Sequence, residues 1–491
     1  MLKNILASIA ALLLGVFFVT VGIGLLNTSL SVKMEQAGLV VTVSGLVQSC
    51  YFIGLTLGSM YSYKIIGRVG YIRSFAAFAS LVSAVTLIHG FRVEPYSWAG
   101  LRFVEGFSIA GLLTCIESWL NVVAENKTRG LILSFYMITY YIGIAVGQYL
   151  LTTPDSSGFT FYIMSSILLS ISLVPIVLTK VSAPDISSPD PLPFKKLWKI
   201  SPIGVMGCIS CGLTTGAFYS LGATFAYSSG LSLNQTSYFM LATVCGGFLL
   251  QWPIGKISDY KDRRIILIII SVLVAIISFA LILIGVNNFA TLLWLLVLFG
   301  GTLFCVYPVS ISYANDFIKK EESVSASGGL MLAYSVGAIG GPIIASLFMR
   351  YLGNNGFFWH MAITSLGFAG LCFYRMYYAK RTPDDTTAFY ALPQYTTPVM
   401  SELDPRSDAV IDNVETSSTK ELDKEELVSA KSLDDNEGNN ESNNNDALDT
   451  NSSKIELQEK KSSTKKNKKP KTKKPQNKSS SKKTRKKLTK K

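Results

Sequence analysis

Ten consecutive residues, Gly255 to Arg264, carry six charged side chains and lie between two long apolar runs, Ser237–Pro253 and Ile265–Val286. A charge held near the centre of a bilayer costs about 2.5–3.5 kcal/mol, so this island cannot sit in hydrocarbon and must be a short loop joining two separate membrane spans. That reading fixes the solvent in which the chain folds. Ten further apolar runs agree with it: Ala7–Leu30, Val40–Tyr63, Ser74–Gly90, Trp98–Asn121, Leu131–Leu151, Phe159–Leu178, Ile203–Tyr227, Thr291–Tyr313, Gly328–Phe348 and Phe357–Tyr377. Twelve runs of this length predict an all-α integral membrane protein with twelve transmembrane helices.

The charges between the runs assign an orientation. Up to Lys380 there are 22 Lys and Arg; 18 fall in loops on one side, only Lys33, Arg92 and Arg350 on the other, and Arg102 lies inside a span. Cationic loops stay in the cytoplasm, so both termini are expected there, as an even number of spans requires. A multi-pass protein of a bacterial inner membrane is the expected setting.

The chain is also divided in two. The longest link between spans, around residues 181–200, carries several prolines and three lysines and separates six spans from six. The expected domains are a six-helix bundle over 1–180, a cytoplasmic linker over 181–200, a second six-helix bundle over 201–380 and a disordered cytoplasmic tail over 381–491. Two short similarities suggest a repeated unit: Ser118 to Asn121 resembles Ser312 to Asn315, and Gly130 to Phe135 resembles Gly329 to Tyr334, at offsets of 194 and 199 residues.

With these features in place, the chain resembles the major facilitator superfamily over about residues 1–380. The superfamily's loop between spans 8 and 9 reads Gly-x-Leu-Ala-Asp-Arg-x-Gly-Arg-Arg. Gly255, Asp259, Arg263 and Arg264 match it, whereas Tyr260 and Asp262 depart from it. The equivalent loop between spans 2 and 3 keeps Arg68, Gly70 and Arg73 but has Gly67 where the family has an acid. Span 4 carries Arg102, Glu105 and Gly106 in a pattern similar to Arg-x-x-Gln-Gly, and Gly337, Gly340, Gly341 and Pro342 of span 11 resemble the family's helix-contact motif. Glu117 to Asn121, Tyr307–Pro308 and Gln251 to Pro253 complete the likeness to the YcaD-like branch.

The resemblance implies a pseudo-symmetric pair of six-helix bundles that rock about a central cargo site. A cytoplasmic gate is then expected at Asp259, near Arg129 at the start of span 5, with Arg263 and Arg264 facing Asp316 and Glu117 facing Arg68 or Arg73. These charges can equally serve to solvate short loops and hold topology. Asp259→Asn is expected to reduce transport while leaving inserted protein near normal. Arg102 and Glu105, three residues apart on span 4, share a helix face and can neutralise each other. Two readings stay open for them: a structural ion pair, or a site where Glu105 carries the coupling proton or touches cargo. The fold also implies cavity positions on spans 1, 4, 7 and 10, where Asn27, Thr214, Thr215, Tyr219 and Tyr307 stand, although each is individually compatible with packing.

No phosphate loop, nucleophile elbow, zinc-ligand spacing or ATP-binding domain is visible, so no enzymatic chemistry, cofactor or metal is expected. The lone histidines, His89 and His360, lack ligand partners in sequence, and Cys208 and Cys211 read as small packing residues. Energy must come from a gradient. The expected function is secondary active transport of a small organic solute, proton-coupled, by a monomer in the lipid bilayer. The alternative from another class is a non-transporting sensor or scaffold with the tail as its output. That tail sorts its charge, with 7 basic and 19 acidic residues over 381–460 and then 16 basic and no acidic residues over 461–491. The last part has the character of a polycation for anionic lipid, RNA or the acidic half.

Overall fold

The computed structural model describes residues 2–124, 128–153, 158–178, 192–319, 322–378, 389–391, 397 and 400. The chain divides into two compact units, Met1–Ser417 and Ser418–Lys491, and all described residues belong to the first. Among the described residues, twelve helices are long and apolar enough to cross a membrane. Spans 1 to 6 are Ile9–Gln36, Val41–Val69, Tyr71–His89, Pro95–Val123, Arg129–Leu150 and Thr160–Val177. Spans 7 to 12 are Pro202–Ser228, Leu233–Tyr260, Arg263–Ile284, Phe289–Asn315, Ser325–Leu352 and Gly356–Tyr378. No strand occurs among the described residues.

Local chemistry sets where these helices begin and break. Span 8 starts with a reciprocal capping box, in which the Ser232 hydroxyl accepts from the Gln235 N–H and the Gln235 side chain accepts from the Ser232 N–H. Asp262 caps span 9 by accepting from the Arg264 N–H. Spans 6 and 10 are each two helices in line, Thr160–Ile171 with Leu173–Val177, and Phe289–Leu303 with Val306–Asn315. Pro175 and Pro308 explain both breaks, since proline has no N–H to donate to the carbonyl four residues back and its ring crowds that carbonyl. A further short helix, Phe194–Ile200, falls inside the expected linker. It is fastened to span 11 by the Leu192 N–H to the Ser325 carbonyl (2.8 Å) and by Lys196 Nζ to Glu322 (2.6 Å).

The packing is a repeated plan. Span 1 packs on 5, span 2 on 4, and span 3 on 4 and 6; six spans later the same partners recur, with 7 on 11, 8 on 10, and 9 on 10 and 12. Between the halves, span 2 packs on 11 and span 5 on 8, two contacts that exchange under the same shift, while span 1 meets span 7. The fold is therefore two pseudo-symmetric six-helix bundles, and the symmetry reaches single residues. A Cβ on Gly147 of span 5 would strike the Val21 carbonyl of span 1, and one on Gly341 of span 11 would strike the Leu213 carbonyl of span 7. Only glycine lets these backbones touch.

Within the sequence-selected cluster, Gly337 likewise lies on the Ile209 carbonyl, but a Cβ on Gly340 would meet nothing nearer than 3.4 Å. The Pro342 carbonyl faces Gly45 of span 2. Gly340→Ala should thus leave thermal unfolding in detergent within about a degree of the parent protein. Gly341→Ala should lower it by several degrees, as overpacking costs about 1–3 kcal/mol. Equal midpoints for the two variants would contradict this packing.

The two ends of the bundle differ. We call the end bearing Gly255–Arg264 the basic end. Near the other end, the Ser31 hydroxyl donates to the Ser220 carbonyl (2.8 Å), Gln48 Nε2 donates to Ser31 Oγ (2.9 Å), and Thr224 Oγ1 donates to the Ser31 carbonyl (3.3 Å). Ser237 Oγ donates to the Gln148 carbonyl, and Gln36 Nε2 to Tyr227 Oη (3.2 Å). Gln48 to Ser31 lies within the first half and the other four bonds join the halves, so the interior is sealed at the end opposite the basic one.

Candidate functional site

Span 4 enters from the sealed end. Glu94 caps it by accepting from the N–H groups of Ser97 (2.6 Å) and Tyr96 (3.2 Å), and the bond from Ser97 holds the exposed Glu94 carboxyl below its ordinary pKa. Pro95 follows at the first helical position, where a missing N–H costs nothing. Arg102 and Glu105 then lie about two and three turns into the helix. Both are buried, at 2% and 0% exposure.

Three spans meet at this pair. Arg102 Nη1 donates to Glu105 Oε1 and to Asn27 Oδ1 of span 1, both at 2.8 Å, and the guanidinium lies 4.3 Å from the ring centre of Tyr51 on span 2. Arg102 Nε and Glu105 Oε2 have no hydrogen-bond partner among the described residues, and neither does Gln48 Oε1. Each unmet buried polar atom costs about 1–3 kcal/mol. The pair is therefore neutral in sum yet retains one donor and one acceptor for a proton, water or solute. The Arg102–Glu105 pair and Asn27, selected separately from it in the sequence, come together; Tyr51 was missed, because an aromatic in an apolar run gives no sign that it faces a guanidinium.

Deeper in the second half, Thr215 Oγ1 and Tyr334 Oη are 3.0 Å apart, and the rings of Tyr334 and Tyr307 are 5.0 Å apart. Tyr219 stacks on Phe304 at 5.8 Å. Both threonines also bond within their own helix, Thr215 Oγ1 to the Cys211 carbonyl (2.7 Å) and Thr214 Oγ1 to the Ser210 and Cys211 carbonyls (3.0 Å each). Tyr334 was not selected from sequence, although its place in the repeated segment Gly329 to Tyr334 was the available signal.

The basic end keeps one expected pairing, Arg263 with Asp316, and departs from the others. Arg263 is almost fully buried and donates from Nη1 to Asp316 Oδ1 (2.7 Å) and from Nη2 to Asp259 Oδ1 (3.0 Å), which ties spans 8, 9 and 10 together inside the second half. Arg264 turns back onto Asp262, with Nη2 to Oδ2 at 2.7 Å and Nε to both oxygens at 3.1 Å. Burial would push the Asp262 carboxyl up, but these Arg264 bonds outweigh it and hold the group below its ordinary pKa. Asp259 bonds to Arg263 and to the Phe389 N–H (2.8 Å), and not to Arg129 at the start of span 5. Glu117 does not pair with Arg68 or Arg73, which stay on the exposed surface around the turn between spans 2 and 3. It is fully buried, accepting from Tyr136 Oη at 2.8 Å and from the Thr397 N–H at 3.0 Å and hydroxyl. Both acids thus contact residues beyond span 12.

Those residues belong to the region read from sequence as a disordered tail, most of which lies outside the described residues. The described ones pack on the helices. Tyr390 and Ala391 line a cavity of about 260 Å³ between spans 5 and 8 with Leu133, Met137, Phe248 and Gln251, and Met400 is 1% exposed.

Comparisons with known proteins agree with this architecture. A profile of the Major Facilitator Superfamily matches residues 12–328 and 203–411. The uncharacterized MFS-type transporter YcaD of Escherichia coli strain K12 / DH10B is 28% identical over 356 residues, which cover 72% of this chain and 92% of that protein. Among solved structures, the nucleoside transporter NupG superposes with a TM-score of 0.62 at 15% identity, over 76% of this chain and 99% of that one. A bacterial homolog of the human lysosomal transporter Spinster, inward-facing and occupied, gives 0.58 at 12% identity, over 74% and 96%. With its span pairing repeated six spans apart and a profile match across both halves, the chain belongs to the Major Facilitator Superfamily of transporters.

Proposed function

We propose that the protein is a proton-coupled secondary transporter of a small organic solute, working by alternating access with the basic end in the cytoplasm. The observation that carries this reading is the buried Arg102–Glu105 pair with an unbonded carboxylate oxygen. An ion pair held only for stability is a poor device in a low-dielectric interior, since a hydrophobic pair of similar volume commonly does as well or better. A carboxylate that trades a proton against its arginine partner supplies the charge change that coupling needs. Asn27 and Tyr51 orient the guanidinium, while Thr215, Tyr219, Tyr307 and Tyr334 offer hydroxyls and ring faces to cargo. The hydrogen bonds at the sealed end support one closed gate, which would have to break as the bundles rock.

In the same reading, Arg263 with Asp259 and Asp316 is the rigid frame of the second-half gate, and Glu117 is its first-half counterpart. Arg68, Arg73, Arg129 and Arg264 contribute charge at the cytoplasmic surface. The 31 residues from Lys461, with 16 basic side chains, act as an electrostatic tether to anionic lipid. A synthetic peptide of residues 461–491 should bind phosphatidylserine-containing vesicles at least tenfold more tightly in 20 mM salt than in 500 mM salt (order-of-magnitude expectation from charge screening). Binding that is indifferent to salt would rule the tether out.

Transport itself is tested in proteoliposomes loaded at one pH and diluted into another, with a panel of radiolabelled sugars, nucleosides, amino acids and drugs. At least one solute should accumulate only with the pH gradient present. A solute that moves equally well without it would make the protein a passive facilitator.

A further inference from the structure

We propose that the basic end carries a second binding site, separate from the buried Arg102–Glu105 pair, that takes the phosphate group of an anionic phospholipid. The site is a cavity of about 120 Å³ where the short helix Phe194–Ile200 meets spans 7, 9, 10 and 12. Lys199 of the short helix, Arg264 at the start of span 9 and Arg375 near the end of span 12 all line it, with Tyr313 of span 10 and Phe317 just past that span. No acidic side chain lines it among the described residues.

The three cations are not equally engaged. Arg264 keeps its bonds to Asp262, whereas neither Lys199 nor Arg375 has an ion-pair partner among the described residues. Three cations against one acid leave two positive charges at one concavity, and cations gathered this way repel one another unless an anion lies between them. Fixing the orientation of the chain requires basic residues on one side of the membrane, but not three from separate elements on a single cavity. A phosphate is the anion that matches the donors. A guanidinium offers planar paired N–H groups to its oxygens, an ammonium a mobile point charge and a phenol a further O–H. The volume points the same way: pockets that enclose drug-sized solutes run to about 300–1,000 Å³, so this one has room for a headgroup phosphate and not for cargo.

The surroundings identify lipid as the source of that phosphate. Trp198 precedes Lys199, Tyr374, Tyr377 and Tyr378 flank Arg375, and all four rings are exposed. Tyrosine and tryptophan at the ends of spans settle at the headgroup level of a bilayer. Their exposure places Lys199 and Arg375 at the depth of the phospholipid phosphates, where basic pockets between spans hold anionic headgroups. With the basic end in the cytoplasm, as proposed above, the lipid belongs to the inner leaflet. The site itself rests on neither the orientation nor the transport reading.

The test uses the full-length protein in neutral detergent, treated with acetic anhydride, with the acetylation rate of each lysine read by peptide mass spectrometry. Lys195, exposed on the same short helix, is the internal reference, and reading lysines one at a time keeps the basic tail out of the signal. Dioleoylphosphatidylglycerol should slow Lys199 relative to Lys195, whereas dioleoylphosphatidylcholine, inorganic phosphate and glycerol phosphate should not. Arg375→Gln should raise the phosphatidylglycerol level needed for half protection about fivefold, the expected contribution of one cation near an anionic surface. Arg375→Lys should restore most of that loss. Equal slowing of Lys195 and Lys199 would reduce the effect to micelle charge, and protection by inorganic phosphate would make the cavity a soluble-anion site. Either result would overturn the proposal, as would an Arg375→Gln curve that matches the parent in monodisperse protein. The lipid and phosphate comparisons use the parent chain alone, so they decide the matter even where Arg375→Gln does not fold.

Discussion

Glu105→Gln is expected to lower gradient-driven transport at least tenfold (about 1.4 kcal/mol per decade) and to flatten its pH dependence, while the protein still inserts and purifies. The amide preserves an oxygen for Arg102 Nη1, so the geometry at 2.8 Å can persist, but it can no longer give up or take a proton. Arg102→Ala is expected to be worse for the fold. It leaves Glu105, fully buried, without the guanidinium it accepts from, and breaking such a pair costs about 3–5 kcal/mol. The double variant Arg102→Leu and Glu105→Leu separates structure from function. Thermal unfolding should recover toward the parent value because both buried charges are gone, yet transport should stay absent. Recovery of transport together with stability would identify the pair as structural and end its assignment to coupling.

The second large effect lies at the basic end. Arg263→Ala should destabilise the second half by about 3–5 kcal/mol, since it removes the fork that bonds the nearly fully buried Asp316 and the part-exposed Asp259 at once. Arg263→Lys should recover only part of this, because an ammonium cannot reproduce two directed bonds in one plane. Arg264→Ala is the internal control. Its partner Asp262 is about one third exposed, so the loss should stay near 0.2–1 kcal/mol. Denaturation followed by tryptophan fluorescence in detergent gives all three values; equal losses for Arg263→Ala and Arg264→Ala would contradict the contrast in burial.

The legible part of this protein was whatever the bilayer dictates. Charges confined to short loops marked the spans, and the helices match them to within a few residues at most ends, with the larger extensions where a helix continues into water, as span 8 does to Tyr260. Arg102 and Glu105 were legible because an ion pair inside an apolar helix has so few ways to survive. Asn27 was legible as an amide on span 1, a helix the fold turns toward the centre. Tyr51, Tyr136 and Tyr334 were not, since a tyrosine in an apolar run packs or binds with the same pattern.

At the basic end the expected Arg263–Asp316 pair forms, but Asp259, Glu117 and Arg264 take other partners than expected, for a different reason. Sequence pairing matched opposite signs between neighbouring loops and helix ends, across the halves for Asp259 and Arg129 and within the first half for Glu117 and Arg68. Asp259 instead pairs with Arg263 across the tight turn between spans 8 and 9, and Glu117 takes neutral donors. Those donors include Thr397, and Asp259 also accepts from Phe389; both lie in a stretch whose composition reads as tail. Composition reports whether a segment can bury enough surface to fold alone, and says nothing about a groove elsewhere that is already shaped for it.

The most direct test of proton coupling is accumulation against a gradient. In proteoliposomes with an imposed pH difference, a transported solute should rise above its external concentration, fall to equilibrium when an uncoupler is added, and never exceed equilibrium in Glu105→Gln. Uptake that stops at equilibrium in the parent protein, ignores the uncoupler and is unchanged in Glu105→Gln would contradict it.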